Sequence, residues 1–132
     1  MEFSYGKKEK LKSKKLIEAL FIERQSVAKY PLRLAYKKLD LEGEASISDK
    51  SEVQMAVSVS KKHFKKAVDR NYFKRVLRES FRLNKHLILD EVSGKYALML
   101  LYQSKDRLSH EEINTKTIQL FEKFVAKINS TE

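Results

Sequence analysis

Apolar residues recur along the 132-residue chain in two rhythms, one helical and one of period two. Near the start, Leu16, Ile17, Leu20 and Phe21 fall at i, i+1, i+4 and i+5. That stripe predicts a helix over Ser13–Glu23, with Ser13 as its N-cap. Pro31 then opens a strand, where its missing N–H does least harm. In LRLAYKKL, Leu32, Leu34 and Tyr36 alternate with Arg33, Ala35 and Lys37, as in a half-buried strand. VQMAVSVS repeats the alternation, with Val53, Met55, Val57 and Val59 on one face. Between these strands, residues 40–52 (DLEGEASISDKSE) are acidic, small and polar, which predicts a mobile hairpin loop. KYALMLLY, Lys95–Tyr102, is apolar almost throughout and predicts a central strand buried on both faces. Ser109 and Glu112 then form an S-x-x-E capping box. The helix it opens would bury Ile113, Leu120, Phe121, Phe124, Val125 and Ile128.

A further helix lies in KKAVDRNYFKRVLRESFRLNK, Lys65–Lys85, which holds eight Lys and Arg residues and two acids. With Arg70 at zero, Lys74, Arg78 and Arg82 fall at about 40°, 80° and 120° on a helical wheel. Asn71 and Arg75 fall inside or beside that arc, while Phe73, Val76, Leu77, Ser80 and Phe81 cluster opposite. One face packs on the sheet and the other is a ridge of cations. Phe64, Ala67 and Val68 are out of phase with it. Their phase predicts a break near Asp69, with Asp69 as N-cap and Lys61–Val68 as a separate short turn. The element order is then α-β-β-α-β-α. It describes a single-domain α+β two-layer sandwich, a small sheet with helices packed on it. No repeat or linker divides residues 1–132, and residues 1–10 read as a basic tail.

Composition narrows the partners. Charged residues make up 35% of the chain and the net charge is +10, a field that attracts polyanions. There is no cysteine, so no disulfide or thiolate metal site is expected. No apolar run suits a membrane span and no signal-peptide core follows the start, so the chain reads as cytoplasmic. A solvated helix face normally mixes signs, because Glu–Lys pairs at i,i+4 stabilise it. The series Arg70, Lys74, Arg78, Arg82 contains no acid, and like charges at that spacing are mildly unfavourable unless an anion meets them. Arginine predominates, which suits bidentate phosphate contacts.

These residues carry a family resemblance. SVSKK (Ser58–Lys62) followed by AV-x-RN-x-x-KR-x-x-RE (Ala67–Glu79) resembles the signature of the protein component of bacterial ribonuclease P. KLKSKKLIEALF resembles the family's opening helix. Arg70, Asn71, Lys74, Arg75, Arg78 and Glu79 match the family's helix motif, whereas Tyr72 stands where the family usually has a second Arg. The resemblance implies a left-handed βαβ crossover, a fold like domain 2 of ribosomal protein S5. It implies an accessory subunit of an endoribonuclease whose chemistry resides in the RNA. That RNA, with Mg²⁺ held mainly by itself and no organic cofactor, would remove the 5′ leader of precursor tRNA. The implied partners are the catalytic RNA and precursor tRNA, with no membrane and no obligate protein partner.

Under that resemblance the RNA-subunit surface would be Lys61, Lys62, Lys66, Arg70, Asn71, Tyr72, Lys74, Arg75, Arg78 and Arg82. The leader cleft, between the first helix and the sheet, would use Ile17, Phe21, Tyr36, Ser58 and Ser60. Phe21 and Tyr36 are candidate stacking platforms; Phe21 could equally be core, whereas Tyr36 is read as cleft. No protein active site is expected. His63, His86 and His110 are scattered, and Asp90–Glu91 and Glu111–Glu112 suit helix ends better than metals. Two other classes share the charge pattern. A structural, ribosomal-type RNA-binding protein lacks the SVSKK…RN-x-x-KR pairing. A membrane-surface helix needs a wide exposed apolar face, which this helix spends on the sheet.

Overall fold

The period-two segments form one four-stranded sheet, and the helical segments lie on it. A computed structural model describes residues 17, 18, 20, 25–38, 52–92 and 95–130. Strands β1 (Ser26–Lys29), β2 (Leu32–Lys38), β3 (Glu52–Val59) and β4 (Lys95–Tyr102) stand in the order β1-β2-β4-β3. β1–β2 and β2–β4 are antiparallel, and β3–β4 is parallel. The helices are α1 (Ala67–Asn84), the short α2 (His86–Leu89) and α3 (His110–Ser130). Residues 17, 18 and 20 are helical; the rest of the predicted Ser13–Glu23 helix lies outside the described residues, as do the 1–10 tail and 39–51.

The α+β expectation holds, with two elements added and one connection corrected. β1 was not foreseen: four residues, SVAK, carry too little alternation to register. Pro31 does not open a strand but sits in the β1–β2 turn, after a cis Tyr30–Pro31 bond, and β2 starts at Leu32. The segment 40–52 was expected as a hairpin. β4 lies between β2 and β3, so the two strands this segment joins are not paired with each other. The period-two pattern gave each strand's faces but not its neighbours.

β4 is buried on both faces, as its apolar run required. On one side Tyr96, Leu98, Leu100 and Tyr102 join Leu32, Leu34, Tyr36, Val53, Met55 and Val59 beneath α1 and α3. On the other, Ala97 and Met99 meet Ala35 and Leu20, with Ile17, Ala56 and Leu101 packed alongside. The first side holds the aromatic residues. Phe64, Phe73 and Tyr102 stack with centroids 4.7 to 5.8 Å apart, and Phe124 meets Tyr36 and Tyr96 edge-on.

Several polar groups buried in this layer hydrogen-bond to one another. Between α1 and α3, Asn84 Nδ2 donates to Ser80 O at 2.8 Å and to Asn114 Oδ1 at 2.7 Å. Thr117 Oγ1 lies 3.0 Å from Ser80 Oγ. The capping box forms as expected: Ser109 N–H donates to Glu112 Oε1 at 2.9 Å, and Glu112 N–H to Ser109 Oγ at 3.1 Å. The Tyr102 hydroxyl donates to Asp106 O and accepts from Leu108 N–H at 3.0 Å, which fixes the connection from β4 to α3. Tyr102→Phe keeps the stacked ring but strands a backbone donor. It should destabilise the fold by about 1–3 kcal/mol, read as a lower urea midpoint with an unchanged m-value.

Candidate nucleic-acid interface

α1 is the crossover between the parallel strands β3 and β4, and it begins earlier than its phase suggested. Ser60 O accepts His63 N–H at 3.2 Å and Phe64 N–H at 3.0 Å, closing a turn at 61–63. The chain is then extended at Lys66, which is the N-cap of α1 without a side-chain capping bond. So the break lies at 64–66, and Asp69 is not the N-cap. It sits in the first turn of α1 and pairs with Arg107 Nη1 at 3.2 Å. Phe64, released from the helix, turns into the core, whereas Val68 stays on α1 and remains 70% exposed.

Phe73, Val76, Leu77, Ser80, Phe81 and Asn84 are the buried side of α1. On its open side Asn71, Arg75 and Arg78 are exposed and Lys74 is half-buried. Lys61, Lys62 and Lys66 are exposed in the lead-in turn, so the structure brings them to the N-terminal end of this stripe. Lys65, which the helical wheel did not single out, is exposed beside them. Arg107 was also missed, because it comes from the β4–α3 connection and leaves no periodic signal in α1. Its guanidinium lies 6.0 Å from the Phe64 ring centre and 5.3 Å from that of Phe73, and its side chain is 58% exposed.

Two members of the expected ridge are committed elsewhere. Arg70 Nη1 donates to Phe64 O at 2.9 Å and Lys65 O at 2.8 Å, so this guanidinium clamps the lead-in turn to α1. Arg82 forms a two-point pair with Glu79, Nε to Oε2 at 3.2 Å and Nη2 to Oε1. The ridge is therefore not free of acid: the i,i+4 series has none, but Glu79 reaches Arg82 at i+3. That hydrogen bond holds the Glu79 carboxyl below the usual carboxylate range, and His110 adds a smaller attraction. Tyr72 is 38% exposed, with the Arg75 guanidinium 5.6 Å from its ring centre.

The second predicted surface divides. Ile17 is half-buried on the sheet face opposite α1, and Ser58 shares that face by alternation with Ala56. Phe21 lies outside the described residues. Ser60 follows β3 rather than lying in it, and its Oγ accepts Lys62 N–H at 3.0 Å, so it shapes the turn. Tyr36 must be corrected. It is only 6% exposed and points to the α3 side, edge-on to Phe124 at 5.0 Å, so it is core and no cleft platform. Its alternation partners Arg33 and Lys37 face the other way. Arg33 is exposed there, donating from Nη1 to Ser26 Oγ at 2.7 Å and from Nε to Gln103 Oε1 at 3.2 Å. The period-two pattern already separated Arg33 from Tyr36; what it lacked was which face the aromatic-rich helices cover.

Among the described residues no three His, Cys, Asp or Glu side chains gather to hold a metal, and no helix is long and apolar enough to cross a membrane. A small mixed sheet carrying a crossover helix with exposed cations is the architecture of an α+β protein with one cationic helix face. The chain belongs to the ribonuclease P family, as its protein component. The Ribonuclease P family model matches residues 5–125. The ribonuclease P protein component of Porphyromonas gingivalis strain ATCC 33277 is 39% identical over 108 residues, covering 80% of this chain and 74% of that protein. That of Pseudoalteromonas translucida is 35% identical over 79 residues, covering 60% and 54%. The ribonuclease P proteins of Staphylococcus aureus and Thermotoga maritima share the fold. Their TM-scores are 0.67 and 0.65, at 18% and 22% identity, covering 88% and 87% of this chain and 94% and 96% of theirs.

Two outcomes follow from the distribution of cations. Arg78→Ala should change stability by no more than about 0.5 kcal/mol, whereas Arg70→Lys, which keeps the charge but loses the fork, should lower the thermal midpoint. Equal melting curves would deny Arg70 its clamp. For Glu79, the folded carboxyl is depressed, so its stabilising contribution is present above the unfolded-state value and disappears as pH falls through the folded one. The melting difference between the native chain and Glu79→Gln should therefore be visible at neutral pH and close under acid conditions.

Proposed function

We propose that this subunit binds the catalytic ribonuclease P RNA through the stripe on α1 and supports 5′ maturation of precursor tRNA by that RNA. The observation that carries the reading is the two-sidedness of α1: Phe73, Val76, Leu77 and Phe81 are buried in the core, while Asn71, Lys74, Arg75 and Arg78 lie on the other side. Cations held on a packed helix neutralise RNA phosphates and release counterions without first having to order themselves. Lys61, Lys62, Lys65 and Lys66 extend the same surface beyond the helix start. Arg70 and Arg82 act from behind, one by fixing the lead-in turn and one through its pair with Glu79.

The single-stranded 5′ leader is proposed to cross the sheet face beside Ile17 and Ser58, with Arg33 supplying positive charge at its end. Ala35 and Ala97 are buried there against Leu20, so the leader would run over the half-buried Ala56 and Ser58. Phosphodiester hydrolysis is assigned to the RNA. Mg²⁺ is assigned mainly to the RNA and no protein residue is given a step in the chemistry; among the described residues no group of three His, Cys, Asp or Glu side chains gathers to hold an ion. The β3–α1–β4 crossover is proposed to be left-handed, in an arrangement like domain 2 of ribosomal protein S5, and the complex to act in the cytoplasm. A structural RNA-binding role without a catalytic RNA partner accounts less well for the family membership.

The deciding experiment is cleavage of a precursor tRNA at low Mg²⁺ by the ribonuclease P RNA of the same source, with and without the protein. The protein should restore 5′ maturation and be inert alone. Arg75→Ala or Arg78→Ala should weaken assembly with the RNA and reduce the salt slope of binding by about 1. Tight RNA binding without any effect on cleavage would instead favour the structural role, and cleavage by the protein alone would reveal an active site of its own.

A further inference from the structure

Next to the cationic stripe, α1 and the first turn of α3 enclose a groove of about 270 Å³, lined by Tyr72, Arg75, Val76, Glu79 and His110. Its chemistry differs from that of the stripe. Tyr72 offers an aromatic face that is 38% exposed, and its ring is braced edge-on by the buried Phe73, with centroids 5.0 Å apart and planes at 83°. The Arg75 guanidinium lies 5.6 Å from the ring centre. Val76 is buried and gives the groove an apolar floor. The remaining walls are His110 and the Glu79 carboxylate, which Arg82 keeps ionised.

A carboxylate at this place repels phosphate, so the groove is a poor seat for backbone. It suits a neutral, flat group that carries N–H donors. Both Glu79 oxygens accept from Arg82, but each keeps a second lone pair for a further donor. Unpaired nucleobases are recognised in this way, stacked on aromatic rings or guanidinium planes and hydrogen-bonded at their edges. We propose that the groove is a base-binding pocket: an unstacked nucleobase of the ribonuclease P RNA lies on Tyr72 beside Arg75, with its edge N–H donating to Glu79. The proposal rests on the RNA-subunit reading of α1 and gives that surface a contact that senses a base as well as phosphate.

The test is binding of the full-length protein to the ribonuclease P RNA of the same source across a salt series. Tyr72→Ala should weaken binding about 5- to 150-fold, with the slope of log affinity against log salt unchanged, because no phosphate contact is lost. Tyr72→Phe should restore most of the affinity. Tyr72→Arg should steepen the slope by about 1 as a phosphate contact replaces the stack. Ultraviolet crosslinking of the native complex should place Tyr72 on a single unpaired nucleotide. Thermal melts of each variant check that the exposed substitution leaves the fold intact. Native affinity in Tyr72→Ala would overturn the pocket while leaving the RNA-subunit reading in place. So would a weakened variant whose salt slope also falls, since Tyr72 would then serve only to position Arg75. Failure of the native protein to bind this RNA would overturn both.

Discussion

The parallel pairing of β3 with β4 is the constraint on which the molecule turns. Parallel neighbours cannot be joined by a tight turn; the chain must leave the sheet, cross it and return. α1 and α2 are that crossing. A crossover helix has to bury one side on the sheet, so Phe73, Val76, Leu77 and Phe81 are spoken for. The charged residues of α1 are thereby kept off the sheet side, where the buried Ser80 and Asn84 are the polar exceptions. The cationic stripe owes its rigidity to topology as much as to its own residues.

The central position of β4 divides the protein into two unlike faces. Toward α1 and α3 the sheet presents Tyr36, Tyr96 and Tyr102, which fill the layer with stacked rings. Toward the first helix it presents Ala35, Ala56, Ala97 and Met99. Large residues make a core; small ones make a shallow surface that a helix covers thinly. The edges are treated unequally as well. On β1, the outward carbonyls of Ala28 and Ser26 accept from Lys123 Nζ at 2.9 Å and Lys127 Nζ at 3.4 Å, so lysines from α3 occupy acceptors that another strand would otherwise seek.

Much of this was legible in the sequence, and what was not has a physical reason. The doubly buried KYALMLLY, the capping box at Ser109 and Glu112, and the two-sided α1 all follow from local periodicity, which reports burial directly. Strand order does not. Alternation says which side chains share a face but is silent on which strand lies alongside, so β2 and β3 looked like a hairpin although β4 separates them. Tyr36 failed for a related reason: its pattern set it opposite Arg33, but only the packing of Phe124 decides which of the two faces is core. β1 and α2, at four residues each, are too short to carry a period at all.

A count of Lys and Arg on α1 overstates the charge available to a partner. Arg70 spends its donors on two carbonyls of the lead-in turn, and Arg82 is matched by Glu79. What faces solvent on the helix is narrower: Lys74, Arg75 and Arg78, with Asn71 among them. Of Arg70 and Arg82, only Arg70 fixes backbone that carries the outer cations. Arg70 aligns the turn bearing Lys61, Lys62, Lys65 and Lys66 with the start of α1, and the Asp69–Arg107 pair ties that start to the connection leading into α3. A helix with every cation turned outward would carry more charge and hold it less well. This division of labour leaves a charged face narrower than a helical wheel suggests, because Arg70 is spent on backbone carbonyls and Arg82 on a carboxylate at the surface.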